Sequence, residues 1–295
     1  MRARVLLVLG MIASCTDSSA PGWMGDQDHA RSLGELSIPG THDSGARFEF
    51  SPGLAKTQEL TIAQQLDAGV RYLDIRCRHV GDAFLIYHGA VDQNQTYDEV
   101  LATLFAFLDE HPSEAIIASV KEEATPSGNT RSFEATFAAY LAQAPQRWHL
   151  DPAVPRLGEV RGQVVLLRRF SAMTTPLGID AAPWPDNTTF TVANAASLRV
   201  QDAYMVADNS VKWAAITSLL GEVRTAPSST LFLDYTSGYQ TMNALPNITI
   251  VSDDINARLA GYLADPANMN ARLGVLVMDF VTADLAAAIV ATNVR

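Results

Sequence analysis

The sequence predicts an α/β protein: a single distorted (β/α)8 TIM barrel of parallel strands, irregular and with room for incomplete closure. Three observations predict it. Short, nearly continuous apolar runs alternate with longer stretches of helical periodicity from about residue 23 to the C-terminus, the pattern of a parallel sheet covered on its outer side. No linker, repeat or charge run divides the chain. Ionisable residues recur where the apolar runs end, and in a barrel the C-terminal strand ends share one mouth.

The chain begins Met1-Arg2-Ala3-Arg4, continues in an apolar run from Val5 to Ile12, and reaches Ala13-Ser14-Cys15. A positive end, a short apolar stretch and small residues make the layout of a secretory leader. The run is far short of the roughly 20 residues that cross a membrane as a helix. Residues 12–15 resemble a bacterial lipobox, in which the cysteine takes the lipid. The expectation is a leader over 1–15 and one barrel over 23–295, in a protein that is secreted, periplasmic or held at the cell surface through Cys15. With Cys15 so used, Cys77 is the remaining thiol, which leaves no internal disulfide and makes Cys77 a buried strand residue.

In chain order the strand candidates are residues 35–38, 70–76, 84–87, 115–121, 163–168, 199–202, 230–235 and 273–279, eight in all. Between them lie helix candidates such as 97–110, where Val100, Leu101, Leu104, Phe105 and Leu108 recur on one face, and 133–141. The connections around 84–87 are too short for full helices, which makes the barrel irregular. An open doubly wound sheet is the alternative, but it usually carries a glycine-rich loop after its first strand, and none is present.

Lys and Arg number 21 against 32 Asp and Glu, a net charge of −11, and no basic stripe interrupts the deficit. Nucleic acid is therefore excluded as a partner, and tight binding to strongly anionic membranes is disfavoured. Any phosphate must meet a few cations placed locally.

The strand ends supply them. The first is followed by His42-Asp43, the second ends in Asp74 and Arg76, the third is followed by His88, and the fourth carries Lys121 and Glu123. Arg168 and Arg169 close the fifth, Asp202 and Tyr204 the sixth, and Asp279 the eighth. Each alone has a plainer explanation: a turn histidine, a structural Asp74–Arg76 pair two residues apart on one face, a solvated strand end. Asp279 after Leu276-Val277-Met278 is harder to dismiss, because an acid that ends an apolar strand needs a partner. Together they offer what cleavage of a phosphodiester by a neighbouring hydroxyl requires. One histidine takes the proton of the attacking hydroxyl, a second protonates the leaving oxygen, the arginine meets the phosphoryl oxygens, and a carboxylate orients the base.

Ser37-Ile38-Pro39-Gly40-Thr41-His42-Asp43-Ser44, then Asp74-Ile75-Arg76, then His88-Gly89, closely resemble the X-region of bacterial phosphatidylinositol-specific phospholipases C. The likeness extends through Pro112-Ser113-Glu114, Lys121, residues 162–169, Trp184-Pro185-Asp186-Asn187, Val200-Gln201-Asp202 with Tyr204, and Asp279. The resemblance implies metal-independent cleavage of phosphatidylinositol, or of its glycosylated form, to diacylglycerol and inositol 1,2-cyclic phosphate, followed by slow hydrolysis to inositol 1-phosphate. It implies His42 as base oriented by Asp279, His88 as acid assisted by Asp43, and Arg76 on the phosphate with Asp74 beside it. Lys121, Arg169 and Asp202 would bind inositol hydroxyls, Tyr204 would lie against the ring, and Glu123 is a further binding residue. No cofactor and no obligate protein partner is expected, and the monomer would meet its headgroup at a membrane surface. The family often carries a tryptophan-bearing short helix at the mouth. Residues 47–57 here offer Phe48, Phe50 and Leu54 instead, and the opposite rim offers Tyr239, Met242 and Leu245.

Two other readings stay open on the residues. A metal-dependent glycerophosphodiester-type enzyme would want a Glu/Asp cluster round the first histidine. A non-catalytic inositol-lipid binding module would have lost one of the two.

Overall fold

A computed structural model describes residues 21–293, so the leader at 1–15 and Cys15 lie outside the described residues. The chain runs β1 (Ile38–Thr41), α1 (Ile62–Asp67), β2 (Tyr72–Val80), β3 (Ala83–His88), β4 (Val91–Thr96), α2 (Tyr97–Glu110), β5 (Ile116–Ser127), α3 (Phe133–Gln143), β6 (Trp148–His149), α4 (Leu157–Val160) and β7 (Val164–Arg169). It continues as β8 (Ile179–Asp180), β9 (Thr188–Ala193), β10 (Ser197–Asp202), α5 (Asn209–Val223), β11 (Thr230–Tyr235), β12 (Gln240–Met242), β13 (Leu245–Asn247), α6 (Thr249–Ala264), β14 (Val275–Met278) and α7 (Ala283–Ala291).

The staves β8, β7, β5, β2, β1, β14, β11 and β10 follow one another round a curled sheet, each parallel to its neighbour. β6 lies beside the start of β7, on the side where β8 lies beside its end. The first and last staves pair, with Ile38 opposite Val275 and Thr41 opposite Met278. Among the described residues no ladder joins β8 to β10, whose outer edge is covered instead by antiparallel β9. The expected distorted eight-stranded barrel is present, and it is open between its fifth and sixth staves.

Two expectations need correcting. Residues 84–87 are not a stave: β3 is antiparallel to β2, pairing Cys77 with Ile86 and Val80 with Ala83, and forms a hairpin that rises above the sheet. The turn Gly81-Asp82, both at positive φ, explains the missing helix. The stave that completes the eight is β8, fifth in order, whose two residues are too short for any hydrophobic period to reveal. The first stave also starts later than expected. Residues 33–35 form a 3₁₀ turn, because Ser32 and Glu35 cap it reciprocally.

Helix α2 matches the expected 97–110, capped by Thr96 and Glu99, and α3 begins at the expected Phe133. Cys77 is buried and free. Among the described residues no helix is long and apolar enough to cross a membrane.

Side-chain alternation at period two builds two cores. Tyr72, Ile117, Val165, Leu167, Leu198, Val200, Leu231, Leu233, Val275 and Val277 fill the barrel interior. Leu73, Ile75, Ala118, Val120, Leu166, Leu276 and Met278 face outward against α2, α3, α6 and α7. Continuing the inward series upward gives Asp74 and Arg76 after Tyr72, Lys121 and Glu123 after Ile117, Arg169 after Leu167, Asp202 after Val200, Tyr235 after Leu233, and Asp279 after Val277. The same face of each stave is thus apolar below and polar at the mouth.

Candidate active site

A cavity of about 450 Å³ opens at that mouth. Nine of the eleven residues to which the resemblance gives a catalytic or binding role line it: His42, Arg76, His88, Lys121, Glu123, Arg169, Asp202, Tyr204 and Asp279. The other two, Asp43 and Asp74, lie buried in its floor.

The turn after β1 is fixed before any ligand arrives. Gln65 accepts from the Thr41 hydroxyl at 2.8 Å and donates to the Ser44 carbonyl at 2.9 Å. The Ser44 hydroxyl accepts from the Asp74 N–H at 2.9 Å. Thr57 donates to the Asp43 carbonyl at 2.9 Å. Asp43 sits at φ +41°, a left-handed conformation uncommon for a residue with a side chain and one that clusters at functional turns. The result directs His42 and Asp43 into the same small space.

His42 Nδ1 lies 2.8 Å from Asp279 Oδ1, and Asp279 Oδ2 accepts from the Gly238 N–H at 3.3 Å. A proton on Nδ1 donated to the carboxylate leaves the Nε2 lone pair facing the cavity. Burial favours the neutral ring, but the Asp279 carboxylate, against the opposing charge of Arg76, raises His42 above its ordinary value. His88 stands at the tip of β3. Its Nδ1 donates to the Ala55 carbonyl at 2.6 Å, so Nε2 also turns inward. The two imidazoles meet edge to face with centroids 6.1 Å apart.

Asp43 Oδ2 lies between them, 3.6 Å from His42 Nε2, 3.5 Å from His88 Nε2 and 3.2 Å from Arg76 Nη1. The resemblance implies an Asp43–His88 pair. The carboxylate is nearly equidistant from both rings and hydrogen-bonded to neither through that oxygen. Burial raises the Asp43 carboxyl, ahead of the Arg76, His88 and His42 charges that work the other way. This acid therefore holds a proton more readily than an ordinary one.

Arg76 is gripped on three sides: Nη2 reaches Asp74 Oδ2 at 3.1 Å, and Nη1 is 3.4 Å from Glu123 Oε1 as well as close to Asp43. Burial alone would protonate Asp74, but Arg76 and Arg169 hold it well below the carboxylate range. Glu123 is likewise burdened by burial, yet Arg76 and Lys121 hold it at about 2. Lys121 Nζ contacts Glu123 Oε2 at 2.7 Å. Among the described residues no group of three or more His, Cys, Asp and Glu side chains is arranged to hold a metal ion. Arg76 supplies the positive charge among these acids.

The other wall is built round Arg169. Its Nη1 is 3.4 Å from both Asp74 Oδ1 and the Tyr235 hydroxyl, and its guanidinium stacks 3.8 Å from the Trp184 ring centre. Trp184 donates from Nε1 to Asp202 Oδ2 at 2.9 Å, and the Tyr204 hydroxyl donates to Asp186 Oδ1 at 2.7 Å. Arg168, one residue away, points outward and pairs with Asp180 at 2.8 Å.

Trp184 and Asp186 belong to the likeness read from the sequence but carry no role there; they follow β8, so recognising that stave exposes them by the strand-end rule. Tyr235 ends β11 and was open to the same rule. Gln58 left no signal: its Nε2 donates to the carbonyls of His42 and Met278 at 3.0 and 2.8 Å, from a loop without pattern.

Residues 52–170 match the family model described as phosphatidylinositol-specific phospholipase C, X domain. The chain is 32% identical over 290 residues to the 1-phosphatidylinositol phosphodiesterase of Staphylococcus aureus strain Newman, covering 91% of each chain. The Listeria monocytogenes 1-phosphatidylinositol phosphodiesterase is 28% identical over 270 residues, covering 88% of this chain and 80% of the relative. Among solved structures, a variant of the S. aureus phosphatidylinositol-specific phospholipase C superposes with a TM-score of 0.86 at 28% identity, over 95% of this chain and 99% of that one. The L. monocytogenes enzyme superposes with a TM-score of 0.78 at 26% identity, over 93% and 99% of the two chains.

Proposed function

The chain belongs to the bacterial phosphatidylinositol-specific phospholipase C family, and we propose that it cleaves phosphatidylinositol, or its glycosylated form, by attack of the inositol 2-hydroxyl on its own phosphate. The observation that carries this reading is the convergence of two inward-facing imidazole Nε2 atoms and one guanidinium on a single buried carboxylate oxygen, with distances of 3.2 to 3.6 Å.

In the first step His42 Nε2 takes the proton of the 2-hydroxyl, held in its tautomer by Asp279. The new P–O2 bond forms as the bond to the diacylglycerol oxygen breaks, and His88 with Asp43 delivers a proton to that oxygen. Arg76 shares its forked donors with the non-bridging oxygens as charge builds on them. Holding the hydroxyl beside phosphorus makes attack intramolecular, an arrangement with effective molarities on the order of 10⁵ to 10⁸ M. The product is a 1,2-cyclic phosphate. Water then opens it slowly with the histidine roles exchanged, giving inositol 1-phosphate.

Lys121, Arg169 and Asp202 bind the inositol hydroxyls, Tyr204 covers the ring, and Glu123 sets the Lys121 ammonium and the Arg76 guanidinium relative to each other. Asp74 anchors Arg76 and Arg169 together. No metal is needed in this account, because Arg76 occupies the position between the acids. Phe50, 80% exposed, with Phe48, Met242 and Leu245 on the rim, offers the membrane an apolar but lightly populated face. Export by the leader at 1–15, lipid on Cys15 and a monomeric state belong to the same proposal.

The roles separate by leaving group. With an inositol phosphodiester whose leaving group is a nitrophenol, protonation is hardly needed. His88→Ala should therefore recover most of the loss of about 10² to 10⁴-fold expected with the lipid, while His42→Ala should stay inactive with both. Equal loss with both substrates in both variants would overturn the assignment.

A further inference from the structure

A buried ionic cluster that this reaction does not use lies on the outer face of the barrel, directly behind the wall that carries Asp202 and Tyr204. Strand alternation puts it there. Asp202 and Tyr235 point inward, so their neighbours Gln201 and Asp234 point outward, where both are buried. From the first turn of α5, Lys212 reaches in to Gln201 and the chain beyond it and is only 3% exposed.

The contacts converge on one residue, Ala203. Lys212 Nζ donates to the Ala203 carbonyl at 2.9 Å and to Gln201 Oε1 at 3.2 Å. The same Gln201 Oε1 accepts from the Ala203 N–H at 2.8 Å. Gln201 Nε2 donates to Asp234 Oδ1 and to the Tyr235 carbonyl, both at 2.9 Å. Ala203 is the first residue beyond β10, where the ladder ends, and it separates the two side chains assigned to the headgroup. Both of its backbone polar groups are thus held by side chains of the cluster.

We propose that Lys212 is a positioning residue for the headgroup-binding wall, fixing Asp202 and Tyr204 through the Ala203 peptide.

The inference rests on the assignment of those two residues to the inositol ring. An apolar side chain would fill the space without the desolvation cost of an ammonium. What the ammonium adds is a donor to the Ala203 carbonyl and to the Gln201 amide oxygen that holds the Ala203 N–H. Burial pushes the Lys212 ammonium below the ordinary lysine value, with Asp202, Asp234 and Asp279 as the compensating charges. Burial raises the Asp234 carboxyl above the ordinary carboxylate value, and its Oδ2 has no hydrogen-bond partner.

The test is the Lys212→Met variant, read by KM and kcat on a soluble inositol phosphodiester and by calorimetric binding of free myo-inositol. The inference expects KM and the inositol dissociation constant to rise together by about 10-fold, the order of one lost hydrogen bond to a charged group. The kcat should stay within about two-fold, as when ground-state and transition-state binding are lost equally. In an Asp202→Ala/Tyr204→Phe background the same substitution should add little, because the effect runs through those two side chains. If Lys212→Met does not fold, Lys212→Met/Asp234→Asn, which strands no buried carboxylate, is read in its place. Wild-type binding of inositol by the variant, or a fall in kcat alone, would overturn the inference. A wild-type protein that neither cleaves the substrate nor binds inositol would overturn the headgroup reading and this inference with it.

Discussion

His42 shows how little at this site is decided by one residue. Its ring is mostly withdrawn from water, which by itself favours the neutral form, and it is the 2.8 Å contact with Asp279 that raises it above the ordinary histidine value. The sign of the consequence follows directly. A base must be neutral to accept a proton, so activity falls as pH drops through the raised value, and the acid limb of kcat/KM lies above 6.5. Asp279→Asn removes the lifting charge while burial and Arg76, which both favour the neutral ring, remain. Its acid limb should move to lower pH, and its plateau should fall by on the order of 10² to 10⁴-fold because the tautomer is no longer held. A pH profile of both proteins checks this; an unmoved acid limb would contradict it. Asp43 is the complementary case. It sits in a strained turn at equal distance from two imidazoles, with a carboxyl raised by burial, and no pattern in the sequence distinguishes that from an ordinary turn aspartate.

At the scale of elements, the mouth is made by devices that differ in how legible they are. Period-two alternation is legible: Asp74 and Arg76 follow Tyr72 on one face, and the sequence alone places them together. The β2–β3 hairpin is not, because a run such as 84–87 has the same composition as a stave. Only pairing distinguishes an antiparallel ribbon from a parallel neighbour. Yet the hairpin is what carries His88 above the sheet to within 3.5 Å of Asp43. The joint between β1 and β14 depends likewise on a loop residue. Gln58 donates to the carbonyls of His42 and Met278 and accepts from the Val281 N–H at 3.2 Å. Gln58→Leu removes the side-chain partner of the His42 carbonyl and of the Val281 N–H, while the Met278 carbonyl keeps the His42 N–H at 2.9 Å. It should lower stability by about 1–3 kcal/mol, the desolvation cost of unpaired buried polar groups, with a fall in kcat as His42 loses its register. Urea denaturation measures the first effect; unchanged stability would contradict the joint.

For the whole molecule, the barrel and its mouth were visible in the sequence because a parallel stave is apolar along its length and polar at one end. The breach between β8 and β10 was not visible. A two-residue strand gives no periodicity, and the wall it supports, Trp184 stacked on Arg169 and bonded to Asp202, was found only in three dimensions. The net charge of −11 acquires a meaning at this scale. The cations facing the cavity, Arg76, Lys121 and Arg169, are each already held by an acid, so an anionic phosphodiester must share them. The central claim of the proposed function is metal-free intramolecular attack, and the most direct measurement is phosphorus NMR of the protein with phosphatidylinositol micelles in excess EDTA. The account predicts that the resonance of the cyclic phosphate appears first and gives way slowly to the monoester. Turnover that is absent in EDTA and restored by calcium, or a monoester formed with no cyclic precursor, would contradict it.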